Sequence, residues 1–195
     1  ASSNITTTSG SATTIYGGNN LGGSTTASHI TVNGGTMTDI FGGGNEAVTG
    51  TTQINLNGGT STNVYGGGNK AGITTSTTTT LNGSNVTNIY GGSNQSGTVT
   101  NSTINTTNGT VGTIYGGNNL GGSTTATNIN VNGASITTVF GGGNEAETGS
   151  TNVVINSWSI NNVYGGGNLA TVDTSSVTHQ SGYVGSIFGG GNQAG

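Results

Sequence analysis

Apolar and polar residues alternate along short stretches of this chain, and the stretches recur at a nearly fixed interval. Ile30 and Val32 are separated by one polar residue, as are Ile54 and Leu56. Apolar residues at every second position, rich in β-branched types, are typical of a strand with one buried face. An Asn-Gly or Gly-Gly turn follows, and then a second short run such as residues 37–41. Each interval therefore predicts two short strands joined by a turn.

Eight copies of one unit fill the chain, and each contains an aromatic residue followed by two glycines. A β-branched residue precedes every aromatic, and an asparagine lies four residues after it. The aromatics recur every 24 or 25 residues, at Tyr16, Phe41, Tyr65, Tyr90, Tyr115, Phe140, Tyr164 and Phe188. The asparagines are Asn20, Asn45, Asn69, Asn94, Asn119, Asn144, Asn168 and Asn192. Because Gly, Thr and Asn are poor helix formers, the pattern predicts an all-β fold, a parallel β-solenoid (β-helix) with eight coils of 24–25 residues.

A second, longer sequence period is superimposed on the repeat of 24 or 25 residues. Residues 15–27 recur without change at 114–126, a shift of 99 positions. The chain is therefore predicted to be a single solenoid domain over 1–195, built from two four-coil blocks at about 1–99 and 100–195. At about 4.8 Å per coil, eight coils would form a rod roughly 38 Å long.

Stacked coils would place equivalent residues directly over one another, which gives each invariant residue a predicted role. The asparagines are expected to form a structural ladder of side-chain amide hydrogen bonds. The glycines have two candidate roles: unusual backbone angles at a corner, or a close approach of two sheets where no Cβ fits. The β-branched residues are expected to be buried. For the aromatics two alternatives remain: a stacked row in a core or corner, or an exposed strip for stacking on sugar rings or against another rod.

Composition and charge exclude several partners. Gly, Thr and Asn supply 41, 39 and 28 residues, and only 3% of residues are charged. One lysine and no arginine cannot neutralise a run of phosphates, so no nucleic-acid partner is expected. No window approaches the roughly 20 apolar residues of a membrane span, so membrane insertion is not expected either. The low charge favours an extracellular or cell-surface location. The first residue, Ala1, indicates a mature or excised piece.

The chemically active side chains are few and scattered. The acids are Asp39, Glu46, Glu145, Glu147 and Asp173, and Glu145 and Glu147 are interpreted as solvated turn charges. Glu46 and Glu145 are equivalent and four coils apart, about 19 Å along the axis, too far for a glycosidase pair. His29 is expected to precede a strand, His179 is interpreted as a residue on a strand face, and Lys70 shows no partner in the sequence. We therefore predict no catalytic residue, no enzyme activity and no cofactor.

Calcium is the one metal that the glycine-rich segments bring into question. Calcium-binding nonapeptide repeats need an aspartate in Gly-Gly-x-Gly-x-Asp, and none of the eight copies has it. Hard cations also prefer several carboxylates, which this chain lacks. The sequence therefore predicts no metal site.

The motif Tyr/Phe-Gly-Gly-Gly-Asn-x-Ala, alternating with Ile-x-Val-Asn-Gly-Gly-Thr, resembles the Gly/Asn/Thr-rich repeats of large secreted bacterial surface proteins of adhesin or fibre type. The resemblance covers the whole chain and implies an extracellular β-solenoid stalk or fibre, without transferring any functional residue. The predicted function is structural or adhesive, as part of a surface fibre or filament. The alternatives are a carbohydrate-binding or carbohydrate-cleaving solenoid, with glycans as partners, and an ice-binding protein. The outward position between the paired apolar residues is too mixed for a regular threonine array.

The ends of the repeat array predict self-association. Neither end carries a polar, charged or helical capping unit, which isolated solenoids normally have. Joining residue 195 to a following residue 1 would place successive aromatics 23 residues apart, close to the internal period. We therefore expect copies to associate head to tail into a fibre.

Overall fold

The computed structural model describes residues 1–156 and 159–193, and within these ranges every regular element is a strand. These two ranges contain fourteen strands: β1 (Ser2–Thr7), β2 (Ser11–Tyr16), β3 (Thr25–Val32), β4 (Thr36–Phe41), β5 (Thr49–Leu56), β6 (Thr60–Tyr65), β7 (Ile73–Tyr90), β8 (Thr98–Tyr115), β9 (Ser123–Val131), β10 (Ser135–Phe140), β11 (Glu147–Ile155), β12 (Ser159–Tyr164), β13 (Val172–His179) and β14 (Tyr183–Phe188). The predicted absence of helix among the described residues is explained by the low helix propensity of Gly, Thr and Asn.

The strands stack in two parallel ladders. Each coil supplies a first strand and a second strand, and the long β7 and β8 each supply both. First strands pair in the order β1, β3, β5, β7, β8, β9, β11, β13, and second strands in the order β2, β4, β6, β7, β8, β10, β12, β14. Paired residues lie 24 to 26 positions apart, one repeat. The predicted parallel β-solenoid is confirmed: eight copies of the unit stack through seven coil-to-coil steps.

The main core lies between the two ladders. The β-branched residue before each aromatic faces inward, and Ile40, Ile89 and Ile114 are completely buried. The alternating apolar residues of the first strands, such as Ile30 and Val32, meet them from the other side. Burial of the β-branched position is therefore confirmed in seven copies, whereas Ile187 in the eighth is 44% exposed.

A local bend lets each second strand place two inward residues three positions apart. Met37 and Ile40 are both buried, although strict alternation would send them to opposite faces. The pairing of β4 with its neighbours omits the intervening Thr38, which is exposed. The same omission recurs in the other second strands. The strand therefore gains one unpaired residue per coil and turns both apolar side chains into the core.

The turn between the two strands of a coil uses the left-handed backbone region that its glycines predicted. Gly35 has φ 98°, and Gly59, Gly83 and Gly109 also have positive φ. In the sixth coil Ala134 occupies the position of Gly35 with φ 93°, the only non-glycine residue with positive φ among the described residues. Its Cβ disfavours that region by about 1–2 kcal/mol. Glycine is thus favoured at this turn by the backbone conformation, although Ala134 also adopts it.

One buried hydroxyl identifies a substitution that should stabilise the fold. Thr79 pairs with Ile54 in one neighbouring coil and Ile104 in the other, and its completely buried Oγ1 has no hydrogen-bond partner. Valine has the same shape without the hydroxyl, so Thr79→Val should raise the free energy of unfolding by about 1–2 kcal/mol. Urea denaturation measures this. Thr78→Val, at the outward-facing neighbour, is the control and should change little; an equal gain from both variants would contradict the burial argument.

Candidate functional site

The candidate functional features of this molecule are rows of like residues that run along the solenoid axis. The aromatic row consists of the eight aromatics listed above, and the asparagine row consists of the eight asparagines. The glycine corner is the pair of glycines after each aromatic. A fourth row, the hydroxyl row, contains Ser3, Ser28, Thr52, Thr77, Ser102, Thr127, Thr151 and Ser175. Parallel, in-register stacking creates all four rows because each coil repeats the same residue one strand spacing away.

The rings of the aromatic row stack face to face from the first coil to the last. Adjacent ring centroids are 4.7–5.1 Å apart and their planes differ by 4–13°. Phe41, Tyr65, Tyr90 and Phe140 are buried, and Phe41, Tyr65 and Tyr90 form a cluster separate from the main core. Strand alternation explains this, because the aromatic points away from the inward β-branched residue before it.

This stacking bears on the exposed-strip alternative for the aromatics. Stacking on a sugar ring requires an exposed ring face. Every interior ring has both faces against its neighbours, so no interior ring offers a face to a sugar. Only the end rings, Tyr16 and Phe188, each have one face without a neighbour in the row. Phe188 is 45% exposed.

Burial also changes the acidity of the tyrosines. Desolvation by burial raises the pKa of Tyr65 to about 12, with a smaller contribution from the charge of Asp39. Desolvation likewise raises the pKa of Tyr90 well above its usual range, with neighbouring tyrosines adding to the shift. The same cause raises the pKa of Tyr115. A tyrosinate in this row would lose its hydration, so the neutral phenol is strongly favoured.

The raised tyrosine pKa values predict a loss of stability in alkali. An unfolded tyrosine ionises near pH 10, whereas folded Tyr65 ionises near pH 12. The unfolded state therefore binds fewer protons between these values, and the free energy of unfolding should fall as pH rises through this window. Urea titrations at about pH 8 and about pH 11 measure the change. The double variant Tyr65→Phe, Tyr90→Phe keeps the stacking, and should weaken the pH dependence. An unchanged dependence would place its cause elsewhere.

The asparagine row forms a continuous chain of side-chain amide hydrogen bonds. In each step the Nδ2 of one asparagine donates to the Oδ1 of its counterpart in the preceding coil. Asn94 donates to Asn69 over 3.0 Å, and Asn119 donates to Asn94 over 2.9 Å. The other five steps measure 2.8–3.0 Å. An asparagine suits the row because one side chain carries both a donor and an acceptor.

The glycine corner is a place of close approach between successive coils. A Cβ built on Gly42 would lie 2.2 Å from the carbonyl oxygen of Gly66 in the next coil, and one on Gly116 would lie 2.0 Å from that of Gly141. The first glycine of each corner meets this obstacle in seven coils, whereas Gly189 in the eighth meets nothing within 4 Å. Neither glycine of these corners has a positive φ. Of the two candidate roles, close approach is the one that applies at this corner, and it occurs between the backbones of adjacent coils.

Six members of the hydroxyl row donate to a carbonyl oxygen of the glycine corner, whereas Ser28 Oγ and Ser102 Oγ are buried without a partner, and the row was missed by the sequence reasoning. Thr52 Oγ1 donates to the carbonyl oxygen of Gly66 in the same coil over 2.6 Å, and Thr77, Thr127 and Thr151 repeat this bond at 2.6 Å. This bond joins the first strand to the glycine corner that lies 14 residues later in the sequence. The sequence did contain a signal for the hydroxyl row, since a Ser or Thr lies two positions before the first inward residue of the alternating pair in every copy.

A second missed feature is the residue after the two glycines, which is not always glycine. Asn118 takes this position in the fifth coil and is completely buried. Its Nδ2 donates to the carbonyl oxygens of Gly97 and Gly121 over 2.9 Å, while its Oδ1 accepts from the backbone N–H of Ser93 over 2.8 Å. A polar side chain is thus tolerated inside this loop because every polar atom has a partner.

The titratable residues are scattered along the described part of the chain, with one ion pair among them. Among residues 1–156 and 159–193, no group of three or more His, Asp or Glu side chains is arranged to hold a metal ion. Asp39 accepts a hydrogen bond from Asn63 over 2.9 Å. The expectation that Lys70 has no partner is wrong: its Nζ lies 3.0 Å from Oε1 of Glu46, the equivalent residue of the preceding coil. This exposed ion pair contributes little to stability.

The two histidines lie on the first strands β3 and β13. His29 is exposed on the first-strand ladder, and His179 Nε2 lies 3.2 Å from the carbonyl oxygen of Gly182 at the last described coil. The described part of the chain contains no helix with the length and hydropathy to cross a membrane.

Comparison with known proteins adds no relative. No family model matches the chain, and neither the curated proteins nor the solved structures contain a match.

Proposed function

We propose that this chain is an extracellular structural or adhesive β-solenoid that forms part of a surface fibre or filament. The observation that carries the proposal is the unbroken stacking of the aromatic and asparagine rows through all eight coils. A solenoid whose coils contact only their neighbours extends by repetition of the same interface, which suits an elongated element.

The resemblance and the chemistry support the same function. The repeats resemble the Gly/Asn/Thr-rich repeats of large secreted bacterial surface proteins. Within the described residues the asparagines of the row bond to one another, Thr52 bonds to a backbone carbonyl, and no group of three or more His, Asp or Glu side chains is arranged to hold a metal ion. These features favour a structural element over an enzyme, and the covered aromatic faces remove the main support for a glycan-stacking strip.

Immunogold electron microscopy tests the location and the form of the protein. Antibodies against the purified chain are applied to intact and to permeabilised cells of the source. We expect label on filaments outside intact cells. Label only after permeabilisation, or on no elongated structure, would contradict the proposal. A thermal-hysteresis measurement on the purified chain supplies the contrast with the ice-binding alternative, for which we expect no activity.

A further inference from the structure

Asn-Gly pairs lie in the turns that join the two strands of a coil, and one of them differs from the rest in its position. The pairs are Asn33-Gly34, Asn57-Gly58, Asn82-Gly83, Asn108-Gly109 and Asn132-Gly133. In four of them the asparagine directly follows the last inward residue of the first strand, as Asn57 follows Leu56. In the fifth coil Thr107 takes that position, so Asn108 lies one residue further along the turn.

The four regular asparagines bond through their side chains to side chains of neighbouring coils. The bonded residues, 2.6–2.9 Å apart, are Asn57 with Asn33, Thr107 with Asn82, and Asn156 with Asn132. The backbone of the turn can be engaged as well, since Gly58 N–H donates to the carbonyl oxygen of Val32 over 3.1 Å. These bonds hold each side-chain amide to another coil.

Asn108 bonds to its own following residue instead. The backbone N–H of Gly109 donates to Oδ1 of Asn108 over 2.8 Å. Because Cγ is bonded directly to Oδ1, this contact holds the amide carbon next to the Gly109 nitrogen. The Nδ2 of Asn108 has no acceptor among the described residues, and Asn108 is exposed to water. The displaced asparagine thus has its side-chain carbonyl beside a backbone nitrogen, with its amino group free to leave.

We infer that Asn108 is a site of spontaneous modification, at which it cyclises with Gly109 and converts to aspartate or iso-aspartate. The Gly109 nitrogen loses its proton to hydroxide and attacks Cγ of Asn108. The new C–N bond closes a cyclic imide while the Cγ–Nδ2 bond breaks, and Nδ2 leaves as ammonia with a proton taken from water. Water then opens the imide at either carbonyl carbon. The net reaction consumes one water and releases one ammonia, and it does not depend on the proposed function.

The modification changes both the charge and the length of the turn. It replaces a neutral amide by a carboxylate, and the iso-aspartate product adds a methylene group to the main chain. A Cβ on Gly109 would already lie 2.4 Å from the carbonyl oxygen of Ser84 in the preceding coil, so the turn has little room for the longer chain. The iso-aspartate product should therefore unfold at a lower urea concentration than the unmodified protein.

Ageing of the folded protein, followed by peptide mass spectrometry, tests the inference. The purified chain is kept in mildly alkaline buffer, then unfolded and cleaved after its aromatic residues in mildly acidic buffer. Each of the five Asn-Gly pairs falls between a different two successive aromatics, so each is measured in its own fragment. We expect Asn108 to convert about tenfold faster than the other four, or more, because it is held close to the attacking nitrogen. The same chain aged in urea is the reference, in which the five pairs should convert at similar rates.

A double variant moves the Asn-Gly pair by one position and supplies the matched control. Thr107→Asn with Asn108→Gly gives the fifth coil the Asn-Gly-Gly-Thr turn of residues 33–36 and 57–60. The asparagine then occupies the position that bonds to a neighbouring coil, so its conversion in the folded protein should fall to the rate of Asn57. Equal conversion of all five pairs in the folded wild type overturns the inference, as does a double variant that converts as fast as the wild type. A preference for Asn108 that persists in urea also overturns it, because the fold would not be its cause.

Discussion

Gly116→Ala is expected to be strongly destabilising, although it adds only one methyl group. Its Cβ would lie 2.0 Å from the carbonyl oxygen of Gly141 and 3.0 Å from the Cβ of Thr127. Neither obstacle is the end of a flexible side chain, so the two coils must separate locally. That separation stretches the corner hydrogen bonds Gly116 N–H to Phe140 O and Gly117 N–H to Gly142 O. We expect a loss of about 3–5 kcal/mol in the free energy of unfolding.

The position of Gly116 in the middle of the array determines how the loss should be observed. Solenoid stability is a sum of coil and interface contributions, so weakening one central interface divides the array into two parts. Urea unfolding followed by circular dichroism should therefore show a lower midpoint and a broader or two-step transition. Gly189→Ala makes the same chemical change in an open corner and should retain the wild-type curve. Equal curves for Gly116→Ala and Gly189→Ala would show that the coils adjust without cost, contrary to the close-approach argument.

The fold was predictable from sequence because the spacing of identical residues specifies which residues stack in register. A constant interval between aromatics such as Tyr65 and Tyr90 specifies which residues become neighbours, and Tyr65 pairs with Tyr90 in the ladder. The alternation of apolar residues in the first strands specified the inward face. The bend at Thr38, which turns Met37 and Ile40 both into the core, is not marked by any residue type.

The direction of the aromatics and the role of the glycines required coordinates. Strand alternation places Phe41 opposite Ile40, but whether that side is solvent or a second small core depends on how the following loop folds back. Glycine has no side chain, so its sequence pattern does not distinguish a positive φ at Gly35 from a close approach at Gly42. The partner of Thr52 was hidden for another reason: its hydrogen bond ends on a backbone carbonyl, which leaves no trace in residue identity.

Replacing Asn94 in the middle of the asparagine row tests whether its amide hydrogen bonds contribute to stability. Asn94→Ala removes two bonds, because Asn94 donates to Asn69 and accepts from Asn119. Asn119 is 8% exposed, so water reaches its freed amide poorly. The free energy of unfolding should fall by about 1–3 kcal/mol, measured by urea denaturation with one fitted slope.

The end of the row supplies the control for that substitution. Asn192 donates to Asn168 but accepts from no described side chain, so Asn192→Ala removes a single bond at an exposed site. Asn192→Ala should lower the free energy of unfolding by less than half as much as Asn94→Ala, because the freed Asn168 oxygen lies next to solvent at the last coil.

Asn94→Asp tests the donor and the acceptor of Asn94 separately. The carboxylate still accepts from Asn119 but faces the Asn69 oxygen without a donor, so it should be at least as destabilising as alanine. If all three variants unfold like the wild type, the row is held by the stacked backbone and its amide bonds add nothing to stability.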